Sequence, residues 1–338
     1  MCGRSLLAGL IALSLITVPA LAQTKDAGVV PRTPAGRPDL QGVWDFRSAT
    51  PLERPDELAG KEFLTPAEAA AFEQERRFTL DMDRRDGGVR DVDRAYNDFW
   101  WDFGTSLTED QRTSLIVDPP NGKIPPLTPE AERRAEMAHG THPVRTRVGG
   151  IGADGPEDRG LAERCLLGFN AGPPFAPSAY NNNVQLFQTP DHVVILMEMV
   201  HDARIVSLDG RPPLPNHLRQ WRGDSRGRWE GDTLVVETTN FTHKTGSFGP
   251  SGVRVPVSSE TMHLTERFTR VDVDTLLYEF TVDDPATFTD PFTAVVPMTN
   301  RGEQMYEYAC HEGNYGLANL LRGARAEEQT AAETPSRE

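Results

Sequence analysis

Arg228-Trp229-Glu230-Gly231-Asp232-Thr233-Leu234-Val235-Val236-Glu237-Thr238-Thr239 is the stretch that decides the fold. A Gly-Asp pair interrupts two strand-forming segments, the pattern of a strand, a tight turn and a return strand. The same grammar recurs around it. Apolar runs of strand length fall at 184–188, 193–205, 233–239, 261–269, 275–282, 292–298 and 304–310, between Gly, Asp and Pro turns. Few separations could hold a crossover helix, so the pairing is expected to be antiparallel. The resulting fold class is mainly β with a few short helices (α+β). An antiparallel barrel or sandwich occupies 181–316, and an irregular, helical N-terminal part wraps it.

Working outward, residues 23–60 read as an extended proline-rich arm with Pro31, Pro34, Pro38, Pro51 and Pro55. Within it Gly42-Val43-Trp44 predicts a first strand. Residues 61–180 hold two helices, one strand and long Gly/Pro loops. Thr65-Pro66 and Thr128-Pro129 predict helices over 64–77 and 129–138, with Thr at the N-cap, Pro at N1 and Glu near the positive end. Thr113–Asp118 reads as a strand that ends in Pro119-Pro120-Asn121-Gly122. The loop at 140–178 is long enough to cover a pocket. The tail, 317–338, reads as helical and then disordered from about Glu328.

The first 22 residues predict export. Arg4 precedes an apolar run, Leu6–Val18, and Ala20-Leu21-Ala22 supplies a small-residue cleavage site. The run is too short to cross about 30 Å of hydrocarbon, so cleavage after Ala22 and a periplasmic or secreted product are expected. The 338-residue chain carries a net charge of −15, which becomes −16 once Arg4 leaves with the leader. Such acidity argues against nucleic acid and against anionic membrane surfaces. A small-molecule ligand or substrate without stable membrane insertion is the expected partner, and composition sets no oligomeric state. Of three cysteines, Cys2 departs with the leader. Cys165 and Cys310 then form an even pair in an oxidising compartment and read as a disulfide. A thiolate nucleophile or metal ligand would instead need a reduced thiol.

Chemistry is sought first in Val193–Ile205. Treated as one strand, its period of two puts Val193, Ile195, Met197, Met199 and His201 on an inward face. Glu198, Asp202 and Arg204 then share the other face, neutralising one another. His201 is equally readable as a hydrogen-bonded core histidine. In Tyr308–Gly316, His311 and Glu312 follow the disulfide cysteine, with Asn314 and Tyr315 beside them. Two imidazoles held near neutral pH can share acid and base roles. Tyr180-Asn181-Asn182-Asn183 offers many donors and acceptors, with Tyr180, Asn182 and Asn183 as candidate substrate contacts alongside Glu198. Trp221 and Trp229 flank a Gly-Asp-Ser-Arg-Gly turn, readable as a sugar-stacking surface or as core tryptophans on a hairpin. No G-x-S-x-G elbow, H-E-x-x-H, P-loop or strand-linked G-x-G-x-x-G occurs. No cofactor and no metal are called for.

Four segments carry a resemblance: Arg112–Pro120 (RTSLIVDPP), Glu198–Arg204 (EMVHDAR), Gly227–Val236 (GRWEGDTLVV) and Ala309–Tyr315 (ACHEGNY). On these the chain resembles a large family of exported, mostly uncharacterised bacterial proteins, over most of its length after the leader. The resemblance implies export and supplies no catalytic residues. The Gly42-Val43-Trp44 start is similar to that of lipocalin-like barrels, which implies a fold only. The resulting functional expectation is a cofactor-independent acid–base enzyme, a hydrolase, lyase or isomerase, acting on a small organic substrate. His201 and His311 would transfer protons, Asp202 and Glu312 would orient them, and Arg204 would meet developing negative charge. The alternative is a ligand carrier using the same groups only to bind, and a weaker third reading is a structural or partner-binding surface protein.

Overall fold

Apolar residues alternating at period two give each strand one face to bury, and the strands bury it by closing on one another. A computed structural model describes residues 29–81, 102–134, 152–168, 170–244 and 260–333. It contains ten strands: β1 (Gly42–Asp45), β2 (Ile116–Asp118), β3 (Asn183–Gln188), β4 (His192–Met197), β5 (Ala203–Ser207), β6 (Asp224–Glu230), β7 (Thr233–Thr239), β8 (His263–Arg270), β9 (Thr275–Asp283) and β10 (Phe292–Asn300). Neighbours run β1-β3-β4-β5-β6-β7-β8-β9-β10, and β10 pairs back onto β1, so nine strands close a barrel. On the same edge of β10, β1 meets Thr299–Asn300 and β2 meets Thr293–Ala294. All pairings are antiparallel except β5–β6, joined by one parallel bridge, Ser207↔Arg226.

The deciding hairpin is β6–β7, in register from Glu230↔Thr233 to Asp224↔Thr239. Its turn places Gly231 at φ +61, a left-handed conformation that a side chain would oppose. Inward rows are contiguous across neighbours. Leu234, Phe268, Tyr278 and Val296 form one; Val236, Glu266, Phe280 and Ala294 form the next. All eight are fully buried.

Several expectations need correction. The run 193–205 is a hairpin, β4 and β5, broken by a 3-10 turn at Met199–His201. Residues 304–310 form no strand. Residue 181 is no structural boundary, because β1 and β2 from the N-terminal part complete the sheet. The first helix, α1 (Pro66–Leu80), follows its Thr65–Glu68 capping box, and residues 129–134 are helical; 135–138 lie outside the described residues. The last helix, α2 (Tyr315–Glu333), starts before Leu317 and continues past Glu328. The proposed leader, residues 1–22, also lies outside the described residues, and among those described no helix is long and apolar enough to cross a membrane.

Both barrel ends are closed by chain. At the end where β1 begins, the arm buries Leu40 completely. There Arg270 lies over the Trp44 ring at 5.1 Å and donates to the Asp39 carbonyl. The opposite end receives described residues of the connection between β1 and β3, among them Phe46, Phe175 and Asn182. From it Phe175 enters the core, stacking on Tyr278 at 4.1 Å and packing near Phe46 and Phe268. Cys165 and Cys310 form the expected disulfide, which closes a separation of 145 residues and ties this cap to the tail. Arg325 of α2 donates to the carbonyls of Ala153 and Asp154, docking the helix on the same cap.

Candidate functional site

The end capped by Phe175 and the disulfide-linked loop, hereafter the capped end, gathers the polar side chains, because the inward rows of β5, β6, β7 and β8 each carry a polar residue near it. Arg204 enters the interior from β5 and grips Glu266 of β8 with both terminal guanidinium nitrogens, Nη1 to Oε2, and Nη2 to Oε1 at 2.9 Å. Tyr278 donates to the same Oε1 at 2.7 Å. Ser225 and Thr238 share a hydrogen bond of 2.9 Å beside the Arg204 guanidinium. Glu266 is fully buried and Arg204 nearly so. Burial opposes the charge on Arg204, yet the Glu266 carboxylate raises its pKa above the ordinary value. Burial, and then the same carboxylate, pushes the Tyr278 phenol well above its usual range, so it stays a donor.

Above this network lies the β4–β5 turn. Val200 (φ 65) and His201 (φ 51) both sit in the left-handed region, a costly place for a β-branched residue. The conformation is held from outside: a Cβ on Gly168 would lie 2.0 Å from Met199 Cγ and 3.1 Å from Val200 Cγ2. Bare backbone at Gly168 therefore packs directly on the strained turn. Asp202, the next residue, pairs with Arg222, which also donates to the Ala171 carbonyl at 3.0 Å. Burial first, and then the charge of Arg204, lowers the Arg222 pKa, with Asp202 opposing both. Glu198 accepts from Asn183 at 2.7 Å.

Among the described residues, four buried polar atoms in this neighbourhood have no hydrogen-bond partner: Asn170 Oδ1, Asn183 Oδ1, His201 Nδ1 and Arg222 Nη2. They belong to residues joined by contacts. Asn170 donates to Asn182, next to Asn183; Ala171 accepts from Arg222; Arg222 pairs with Asp202, next to His201. The orientation of both amides is fixed. Asn183 Nδ2 faces a carboxylate, and Asn170 Nδ2 donates to the Tyr180 and Asn181 carbonyls, so each Oδ1 points away as an acceptor.

The other residues singled out from sequence fall in different settings. Arg204 does not neutralise Glu198 or Asp202; β5 starts afresh at Ala203 and turns Arg204 inward to Glu266. Asn182 spends its amide on the Asp102 and Ser178 backbones, and Asn314 spends its own on the Glu163 carbonyl and Cys165 Sγ, so both serve as loop staples. Tyr180 and Trp221 are half-buried at the cap, whereas Tyr315 is exposed. Trp229 lies under Arg37 of the N-terminal arm, 5.5 Å from its guanidinium, so the two tryptophans form no common surface. His201 is half-buried; His311 and Glu312 are exposed beside the disulfide. Both histidines nevertheless flank one short segment, since Cys165 bonds Cys310 and Gly168 packs on Met199.

Sequence reasoning missed Glu266, Tyr278, Arg222 and Asn170. For Glu266 a signal existed: His263–Arg270 alternates, and Glu266 falls on the row of Leu264 and Phe268. An acid on an apolar row demands a buried partner. Among the described residues no group of three or more His, Cys, Asp or Glu side chains could hold a metal ion. Compared with protein-family models, curated proteins and solved structures, the chain matches none of them.

Proposed function

We propose that this protein is an exported β-barrel that binds a small polar molecule at its capped end, over the Arg204–Glu266 network. The observation that carries the reading is the set of unpartnered buried atoms on Asn170, Asn183, His201 and Arg222. Buried polar groups are almost always satisfied, and each exception asks for a partner. A ligand donating to two amide oxygens and accepting from a guanidinium would supply three at once. The disulfide supports the exported half of the proposal, since such bonds persist in oxidising compartments.

Acid–base catalysis is a second reading, favoured by one observation. His201 is presented on a strained left-handed turn, and such strain clusters at functional sites. In this reading His201 moves the proton, while exposed His311 and Glu312 act from the tail across the 165–168 segment. Incubating the purified protein with a metabolite pool, read by NMR, tests both. Stoichiometric retention of a compound supports binding. Catalytic consumption that vanishes in His201→Ala while retention survives establishes the second reading. Neither retention nor consumption would sink the proposal.

A further inference from the structure

Resting on the binding reading above, we infer that the ligand is a neutral polyhydroxylated molecule, of the sugar or cyclitol class, and not an organic acid. Two features of the site carry this. The first is its hydrogen-bonding inventory. Asn183 Oδ1 and Asn170 Oδ1 can only accept, and Arg222 Nη2 can only donate. An ionised carboxylate group would satisfy the arginine and bring no donor to either amide oxygen. A hydroxyl group both donates and accepts, so a ligand bearing several of them supplies the kind of partner that each of the three atoms lacks.

The second feature is charge. Arg222 is not a free anion receptor, because Asp202 occupies one edge of its guanidinium and Ala171 takes Nη1. Arg204 is likewise consumed by Glu266. The contact-connected cluster thus holds two guanidinium groups, each paired with one carboxylate, Glu266 or Asp202, and a third carboxylate, Glu198, on the Asn183 amide. An incoming anion would add a fourth negative charge where burial strengthens repulsion. A neutral ligand pays no such penalty. Asn170 is 2% exposed and holds three oxygens with its Nδ2, so its free Oδ1 is fixed in place before any ligand arrives.

The test measures binding of D-glucose, D-galactose and myo-inositol against D-gluconate, D-glucuronate, glycine and acetate. Isothermal titration calorimetry on the full exported chain is the readout, with a thermal-shift screen as a check. At least one neutral polyol is expected to bind at least about tenfold more tightly than its acid counterpart. That affinity is expected to fall about tenfold or more in Arg222→Gln, as loss of a hydrogen bond from a charged donor predicts. Because Arg222 also anchors Asp202, Asn183→Ala serves as a second variant, which removes the Oδ1 acceptor; the same fall in affinity is expected there. Preferential, Arg222-dependent binding of the acids would overturn the inference while leaving the binding proposal standing. Polyol affinity unchanged in both folded variants would overturn it too. No binding by any probe would overturn it, and retention of some other metabolite by the same site would then show that only the ligand class was misassigned.

Discussion

Inside the barrel each oxygen of Glu266 is engaged, Oε1 by Arg204 and Tyr278, Oε2 by Arg204. Breaking such a pair leaves the other charge buried alone. Glu266→Gln is therefore expected to cost about 3–5 kcal/mol, measured by urea denaturation. The double change Arg204→Met, Glu266→Leu should cost far less than the sum of the single changes; additive losses would refute the coupling. Tyr278 makes a separate pH prediction. Its raised folded pKa means that its contribution to stability is complete below the ordinary tyrosine value, about 10, and is lost as pH rises beyond it. Tyr278→Phe should remove that alkaline loss, visible as a flatter denaturation midpoint above about pH 10. At this scale the sequence was only partly legible. Alternation continues numerically from Val193 through His201, but the backbone leaves the strand at Glu198, so the face assigned to His201 and Arg204 could not be read by counting.

The elements were more legible where turn or cap chemistry marked their ends. Thr65-Pro66 with Glu68 announced α1, and the Gly231 turn announced β6–β7 with its register. Residues 304–310 have strand-like composition but form none, for a reason that lies outside the segment. The second edge of β10, the strand that 304–310 follows in the chain, is already shared by β1 and β2, so it offers that segment no place. Likewise nothing local to 165–168 shows that it meets the β4–β5 turn; only the absent Gly168 side chain permits it. Gly168→Ala would drive a methyl into Met199, which itself is 2% exposed. A loss of about 1–3 kcal/mol is expected from overpacking, again by denaturant titration. Met199→Ala added to Gly168→Ala should recover part of it through restored space. A Gly168→Ala protein as stable as the parent would show that the cap does not brace the turn.

Across the whole molecule, one covalent bond links the cap to the tail. Opening Cys165–Cys310 releases a separation of 145 residues. The chain-entropy relation puts the stabilisation at about 5 kcal/mol. Denaturation with and without reductant should show a loss approaching that figure, and Cys165→Ser with Cys310→Ser should reproduce it. Unchanged stability would mean that the unfolded chain is already compact around this loop. The pairing was legible because only two cysteines follow the expected leader, and the mainly β fold, as barrel or sandwich, was legible in the recurring strand runs; the strand that closes the ring was not. No local pattern says that a four-residue strand near the start fits between β3 and β10.

That closure has a consequence for biogenesis. Trp44 pairs with Val184 on one side and Asn300 on the other, so β1 leaves the ribosome long before its last partner exists. Until Phe292–Asn300 has emerged, β1 and β9 each present an unpaired edge, and Tyr278, Phe280 and Trp44 face water. Unpaired edges and exposed aromatic surface are what holdase chaperones recognise and what aggregation exploits. A chain that ends before Phe292 is therefore expected to leave the ring open and to aggregate where the full chain folds.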